Sequence, residues 1–277
     1  MSYIIDTHAH YDDEAFDKDR EKILDSLSAA GIKQVINVGA SMRGVKDTLS
    51  LSGSHSFVYA AIGVHPSETG DITEDDMAFI KDHAGDEKVV AIGEIGLDYH
   101  YLKLEEEAKK SGKSYDYDPD PSREHQQKWF IRQLEIARET KLPVIIHSRE
   151  AAADTAFILK KENADKVGGV IHCYSYSKEA AKDYLDLGFY FGIGGVITFK
   201  NGKKLKETVS YVPMDRILLE TDCPYLAPEP YRGERNCSLY LPNVVRAISQ
   251  IKGISEEEVI EITSENARRL FALPREI

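Results

Sequence analysis

Eight short apolar runs rich in β-branched residues punctuate this chain: IIDTHAH, KQVINVG, FVYAAIGVHP, KVVAIGEIGLDY, LPVIIHSRE, GGVIHCYS, FYFGIGGVITF and RILLETDCP. Helical periodicity falls between them over Asp13 to Ala30, Glu74 to His83, Ser122 to Thr140, Lys178 to Leu187 and Leu239 to Ile251. Strands that read as continuous apolar runs belong to parallel sheets covered on both faces, and parallel neighbours need a crossover, usually a helix. Eight such units in about 250 residues predict an α/β fold closed into a (β/α)8 barrel. A doubly wound open sheet is the alternative. It gives no reason for candidate ligands at the ends of so many strands, whereas a barrel builds its site from those ends.

With 277 residues, 42% hydrophobic, and no internal repeat or low-complexity linker, the chain reads as one domain over 1–277. Residues 103–121, KLEEEAKKSGKSYDYDPDP, carry both signs of charge with little apolar periodicity, which predicts a surface loop inserted after the fourth strand, with room for about one helical turn. The last segment opens with a Ser255/Glu258 capping box and predicts a helix packed on the barrel's outside. No apolar run approaches the roughly 20 residues that span a bilayer, and the N-terminus lacks a basic region followed by a long apolar stretch, so a cytoplasmic protein is expected, with no membrane association. Cys173, Cys223 and Cys237 lack paired-ligand spacing and read as free thiols. A net charge of -12 argues against general electrostatic binding of nucleic acid. It does not exclude a nuclease, because bound divalent cations invert the charge of a carboxylate-rich site. Nothing predicts an obligate protein partner.

The chemistry concentrates where the apolar runs end. His8 and His10 stand one residue apart, so a strand turns both to the same face. Glu94, His147, His172 and Asp222 close later runs. Alone, His10 or His172 would read as a buried histidine and Asp222 as a helix N-cap before Pro224; together the six read as metal ligands. Four imidazoles and two carboxylates suit Mg²⁺, Mn²⁺, Zn²⁺, Co²⁺ or Ni²⁺. Catalytic zinc usually keeps three protein ligands and an open position, so six ligands point to two ions, with Glu94 as the bridging group. Such a pair activates water for displacement at phosphorus, and Asp222 is placed to take its proton.

The runs DTHAH, GVHP, GEIGLDY, PVIIHSRE, IHCYS, ETDCPYLAP, RGERN and ENARRLF resemble the TatD family of metal-dependent deoxyribonucleases, in the family's order across nearly the whole chain. The resemblance implies a TIM barrel and a DNA exonuclease, and assigns the metals to the same six residues. By similarity His65 would donate to a substrate phosphate. Arg149, two residues after His147, could clamp a phosphate bidentately. Arg232, Arg235 and Asn236 match the RGxRN pattern, of which Arg232 and Asn236 are read as substrate contacts. Glu220 would support the site from behind. Lys200, Lys203, Lys204 and Lys206 form a basic stretch after the seventh run, equally readable as a guide for an anionic strand or a solvated helix face. The competing readings are a hydrolase of an ester, amide, lactone or small phosphodiester using the same centre, activity on RNA, and a non-catalytic metal-binding protein.

Overall fold

A computed structural model describes residues 3–115 and 120–275. The eight apolar runs form strands β1 (Ile4–Ala9), β2 (Ile32–Val38), β3 (Val58–Ile62), β4 (Val89–Asp98), β5 (Val144–Arg149), β6 (Gly169–Ile171), β7 (Tyr190–Ile193) and β8 (Ile217–Leu219). They pair in parallel in chain order. The seam closes just past β8, where Asp222 N donates to His8 O and His10 N to Cys223 O, both at 2.9 Å. The result is the predicted (β/α)8 barrel.

The helices are α1 (Arg20–Leu27), α2 (Met42–Ser54), α3 (Glu74–His83), α4 (His100–Ser111), α5 (Arg123–Thr140), α6 (Ala152–Lys161), α7 (Lys178–Asp186), α8 (Lys203–Tyr211), α9 (Leu241–Lys252) and α10 (Glu256–Phe271). Polar caps start several of them: Thr73 and Ser255 each complete a capping box, and the Ser122 and Ser177 side chains accept from their third helical residues.

One expectation is corrected and another extended. The stretch read as a loop after β4 holds the three-turn helix α4, with no buried residue. Its Leu, Glu, Ala and Lys content is strongly helix-favouring, Glu105 pairs with Lys109 one turn on at 2.6 Å, and Gly112 ends it in the left-handed region. Apolar periodicity gives little signal for a helix with no fully buried residue. Residues 116–119 of that stretch lie outside the described residues.

The helix α10 packs on the barrel's outside through Val259, as expected, but its end goes further. Its Ala267 and Phe271, with Leu273 beyond, join a buried cluster with Ile5, Val90, Ile145, Val170 and Leu218, so the helix ends across the amino-terminal mouth of the barrel. Tyr3, Gln34 and Ser264 tie this end together: Gln34 Nε2 donates to Pro274 O at 3.0 Å and Tyr3 Oη to Arg275 O at 3.0 Å. The larger cluster fills the layer between strands and helices, with Leu24, Val45, Met77, Trp129, Phe130, Leu159, Tyr184 and Val244 from the helices.

Candidate metal centre

At the carboxyl-terminal mouth the six predicted ligands converge. His8 is fully buried, and Glu94 and His172 are each 4% exposed. The ligand atoms of His8, Glu94 and His172 lie within 4.8 Å of one another, as do those of His8, His10 and Asp222. His8 Nε2 and His10 Nε2 face each other at 3.1 Å. His10 Nδ1 donates to Val38 O at 2.8 Å, which leaves its Nε2 lone pair aimed inward. Glu94 presents its two oxygens to different histidines: Oε2 lies 3.5 Å from His8, while Oε1 lies 2.7 Å from His147 Nδ1 and 3.7 Å from His172 Nε2. Asp222 Oδ1 faces His10 at 3.4 Å, His172 at 3.6 Å and His8 at 3.8 Å.

Local backbone choices make this convergence possible. Gly96 has φ +144, and a Cβ there would lie 2.0 Å from His147 O, so only glycine lets β4 pass β5 beside the site. Asp222 adopts φ 58, a left-handed conformation that aspartate enters more readily than most residues. Asp6, beneath His8, accepts from Thr221 N at 3.1 Å, Thr221 Oγ1 at 2.8 Å and Ser238 Oγ at 2.6 Å, pinning β1 to the segment that carries Asp222.

Two carboxylates hold the histidines from behind. Glu220, 1% exposed, sits 3.1 Å from His172 Nδ1 and accepts from Cys173 N at 2.6 Å. Space for it exists because residue 192 is glycine; a Cβ there would meet the carboxylate at 2.0 Å. Asp98 stands 3.0 Å from His147 Nε2, opposite the nitrogen that faces Glu94. Asp98 was missed in the sequence, although it shares strand parity with Glu94 and that alternation points it to the same face. A carboxylate behind a ligating imidazole fixes its tautomer and orientation.

Charge balance follows the geometry. Burial opposes the ionised form of Glu94, yet the surrounding His172, His8 and His147 bring it well below the ordinary carboxylate range. Asp222 is likewise held ionised against burial by His172, His10 and His8. Conversely, burial opposes charge on His10, His147 and His172, but the neighbouring carboxylates raise each to about 9. The site therefore attracts positive charge whichever cation supplies it. A set of imidazole nitrogens and carboxylates clustered in the interior fits borderline or hard divalent ions, which offset the carboxylates and take up the inward lone pairs.

His65, Asp98 and His147 also lie within 4.8 Å of one another. His65 Nδ1 accepts from Ser67 N at 3.2 Å, so the neutral ring carries its proton on Nε2 and cannot ligate through that atom. Burial, with His147 alongside, pushes its pKa down to about 3, and the ring is a neutral donor at pH 7.

These residues floor a cleft of about 550 Å³ that also takes in Asp12, Glu68, Tyr101, Asp120, Arg149 and Tyr225. Arg149 and His65 line it as expected. Arg232 and Asn236 do not line it. The Arg232 guanidinium covers the Phe199 ring at 4.4 Å. Asn236 is 1% exposed and donates to Thr221 O and Tyr225 O, both at 2.8 Å, so direct substrate contact is replaced by anchoring the loop after β8. Arg235 forms a bidentate pair with Asp19 at 2.8 and 2.6 Å. The basic stretch begins α8, where Lys203 pairs with Glu207, and none of its four lysines lines the cleft.

Several known proteins resemble this chain over nearly its whole length. A hydrolase from Bacillus subtilis, YabD, named as an uncharacterised metal-dependent hydrolase, is 41% identical over 270 residues, covering 98% of this chain and 99% of the relative. The protein named 3'-5' ssDNA/RNA exonuclease TatD from a Rahnella species is 32% identical over 264 residues, covering 93% and 94%. The crystal structure of YjjV, a TatD homologue from Escherichia coli K12, superposes with a TM-score of 0.86 at 28% identity, covering 98% of both chains. The sequence profile described as TatD related DNase matches residues 5–272, and the chain belongs to that family.

Proposed function

We propose that residues 1–277 act as one divalent-metal-dependent hydrolase domain that cleaves phosphodiester bonds, as a DNA exonuclease using a binuclear centre. The observation that carries this reading is the split presentation of Glu94, one oxygen towards His8 and the other towards His147 and His172. That placement suits a carboxylate shared between two ions, one with His8, His10 and Asp222, the other with His147 and His172. Mg²⁺, Mn²⁺, Zn²⁺, Co²⁺ and Ni²⁺ all match the donor set. Two such ions would supply Lewis acidity and offset charge at the scissile phosphate.

The chain's own groups do the rest. Asp222, held ionised with Oδ1 turned to three histidines, takes the proton of the attacking water on its other oxygen. His65 donates its Nε2–H to a non-bridging phosphate oxygen, and Arg149 supplies a planar fork to the same group. Asp98 and Glu220 keep the rings of His147 and His172 in register. The name of the Rahnella relative supports a single-stranded nucleic acid as substrate.

The test is hydrolysis of end-labelled single-stranded DNA by metal-stripped protein reconstituted separately with Mg²⁺, Mn²⁺ and Zn²⁺. Stepwise shortening that requires both metal and Glu94 is expected. Activity confined to a panel of carboxylic esters and lactones would replace this reading with the non-nuclease alternative.

A further inference from the structure

The cleft gives phosphate few places to sit. Apart from the proposed ligands it is lined by the carboxylates of Asp12, Asp13, Glu68, Asp98 and Asp120, against the single guanidinium of Arg149 among its described residues. A strand laid along it would bring successive phosphates against those acids. One phosphate is accommodated at Arg149 and His65; the rest of a substrate held here must be recognised through uncharged parts. The volume, about 550 Å³, falls in the range of roughly 300–1,000 Å³ usual for small-ligand pockets.

An apolar surface for that purpose stands at the rim. Tyr225 is 56% exposed and its neighbour Leu226 39% exposed, three and four residues beyond Asp222. Other aromatic rings around the mouth are covered. The Arg149 guanidinium lies 5.7 Å over Tyr101, Arg232 covers Phe199, Arg235 covers Phe16 at 4.6 Å, and Tyr231 stacks on Tyr240 with centroids 4.0 Å apart. Among the described residues no ring or cation stacks on Tyr225, whose hydroxyl alone is engaged, donating to Asp13 at 3.2 Å. Its backbone is fixed: Tyr225 N donates to Asp222 O at 2.8 Å, and Asn236 Nδ2 holds Tyr225 O. A rigidly mounted, bare aromatic face beside an acidic cleft that accommodates one phosphate has the form of a stacking platform.

We infer that Tyr225, extended by Leu226, stacks the nucleobase of the terminal nucleotide whose phosphodiester is cleaved, and that Asn236 is the positioning residue for this ring. The inference rests on the proposed nuclease activity and assigns its substrate unit as one nucleotide, with the base on β8's side of the cleft and the phosphate at Arg149 on β5.

The test compares single-stranded oligonucleotides ending in an ordinary nucleotide with ones carrying an abasic residue at either terminus. Tyr225→Ala should raise KM for the base-bearing end by about tenfold, in line with base–aromatic stacking, with kcat and the abasic substrate little changed. Tyr225→Phe should behave as wild type. Tyr211→Ala, which removes a half-exposed tyrosine on α8, should change neither substrate. Fluorescence quenching of a 2-aminopurine mononucleotide should follow binding to the wild type and vanish in Tyr225→Ala. Equal loss on both substrates, or no loss on either, overturns the platform while leaving the nuclease reading intact. Cleavage of neither substrate by the metal-loaded wild type overturns both.

Discussion

The two mouths of the barrel are made by the same eight strands and are finished in opposite ways. At the amino end, Ile5, Val90, Ile145, Val170 and Leu218 meet Phe271 and Leu273, 2% and 5% exposed, in an apolar plug. A recess of about 790 Å³ lies there too, larger than the cleft opposite, but its Arg268 and Arg275 both pair with Glu265, at 3.4 and 3.1 Å. At the carboxyl end the same strands bury histidines and carboxylates whose free lone pairs converge on shared space. Cavity size therefore does not distinguish the two. Polar groups held in the interior with inward-directed ligand atoms do, because burying them is costly unless something compensates.

That contrast makes stability the business of one mouth and reaction the business of the other, and substitutions should separate them. Asp222→Asn should lower kcat/KM by about 10²–10⁴-fold while the far-ultraviolet spectrum and melting cooperativity stay native. Phe271→Ala should do the reverse, removing about 3–5 kcal/mol of stability measured by denaturant titration, with activity of the folded fraction near that of wild type. An inactive but fully stable Phe271→Ala would break the division.

Smaller effects are expected one layer away from the ligands. Asp98→Asn and Glu220→Gln should each weaken divalent-metal affinity by about 10–100-fold in a competition titration with a chromogenic chelator. Unchanged affinity in both would show that His147 and His172 are oriented by packing alone.

A further effect, of pH on stability, concerns Asp6, between the two mouths. Burial raises its pKa to about 7 despite the hydrogen bonds of Ser238 and Thr221, against about 3.9 when unfolded. The folded protein thus holds the proton more tightly, and the stability this contributes is complete below about pH 4 and is lost as pH rises through about 7. Denaturation midpoints of metal-free protein should show that decline, and Asp6→Asn, permanently neutral, should flatten it; parallel pH profiles would contradict the assignment.

Much of the carboxyl mouth was legible because ligand-type residues at the ends of apolar runs are conspicuous: His10, Glu94, His147, His172 and Asp222 all line the same cleft, with His8 buried against them. Asp98 escaped because Glu94 was taken as the functional end of its run, although β4 runs four residues past Glu94 and turns Asp98 to the same face. Arg232 and Asn236 were recognisable as a motif, but letters carry no direction, and both side chains turn to the loop's own support. The helices α2, α4, α6 and α8 went unmarked. α4 has no fully buried residue, so its apolar positions gave little signal, and glycine and serine dilute the helix propensity of α2, MRGVKDTLSLSGS. The plug by α10 was invisible because its apolar residues would look alike against the outside of the barrel or across its end.

The central claim is that Glu94 joins two cation sites at one mouth, and metal content tests it most directly. Protein stripped and reloaded with Mn²⁺ or Zn²⁺, then measured by plasma mass spectrometry after removal of free ion, should carry two ions per chain, and Glu94→Ala should carry fewer than one while remaining folded. One ion in the wild type, or two retained by Glu94→Ala, would contradict the account.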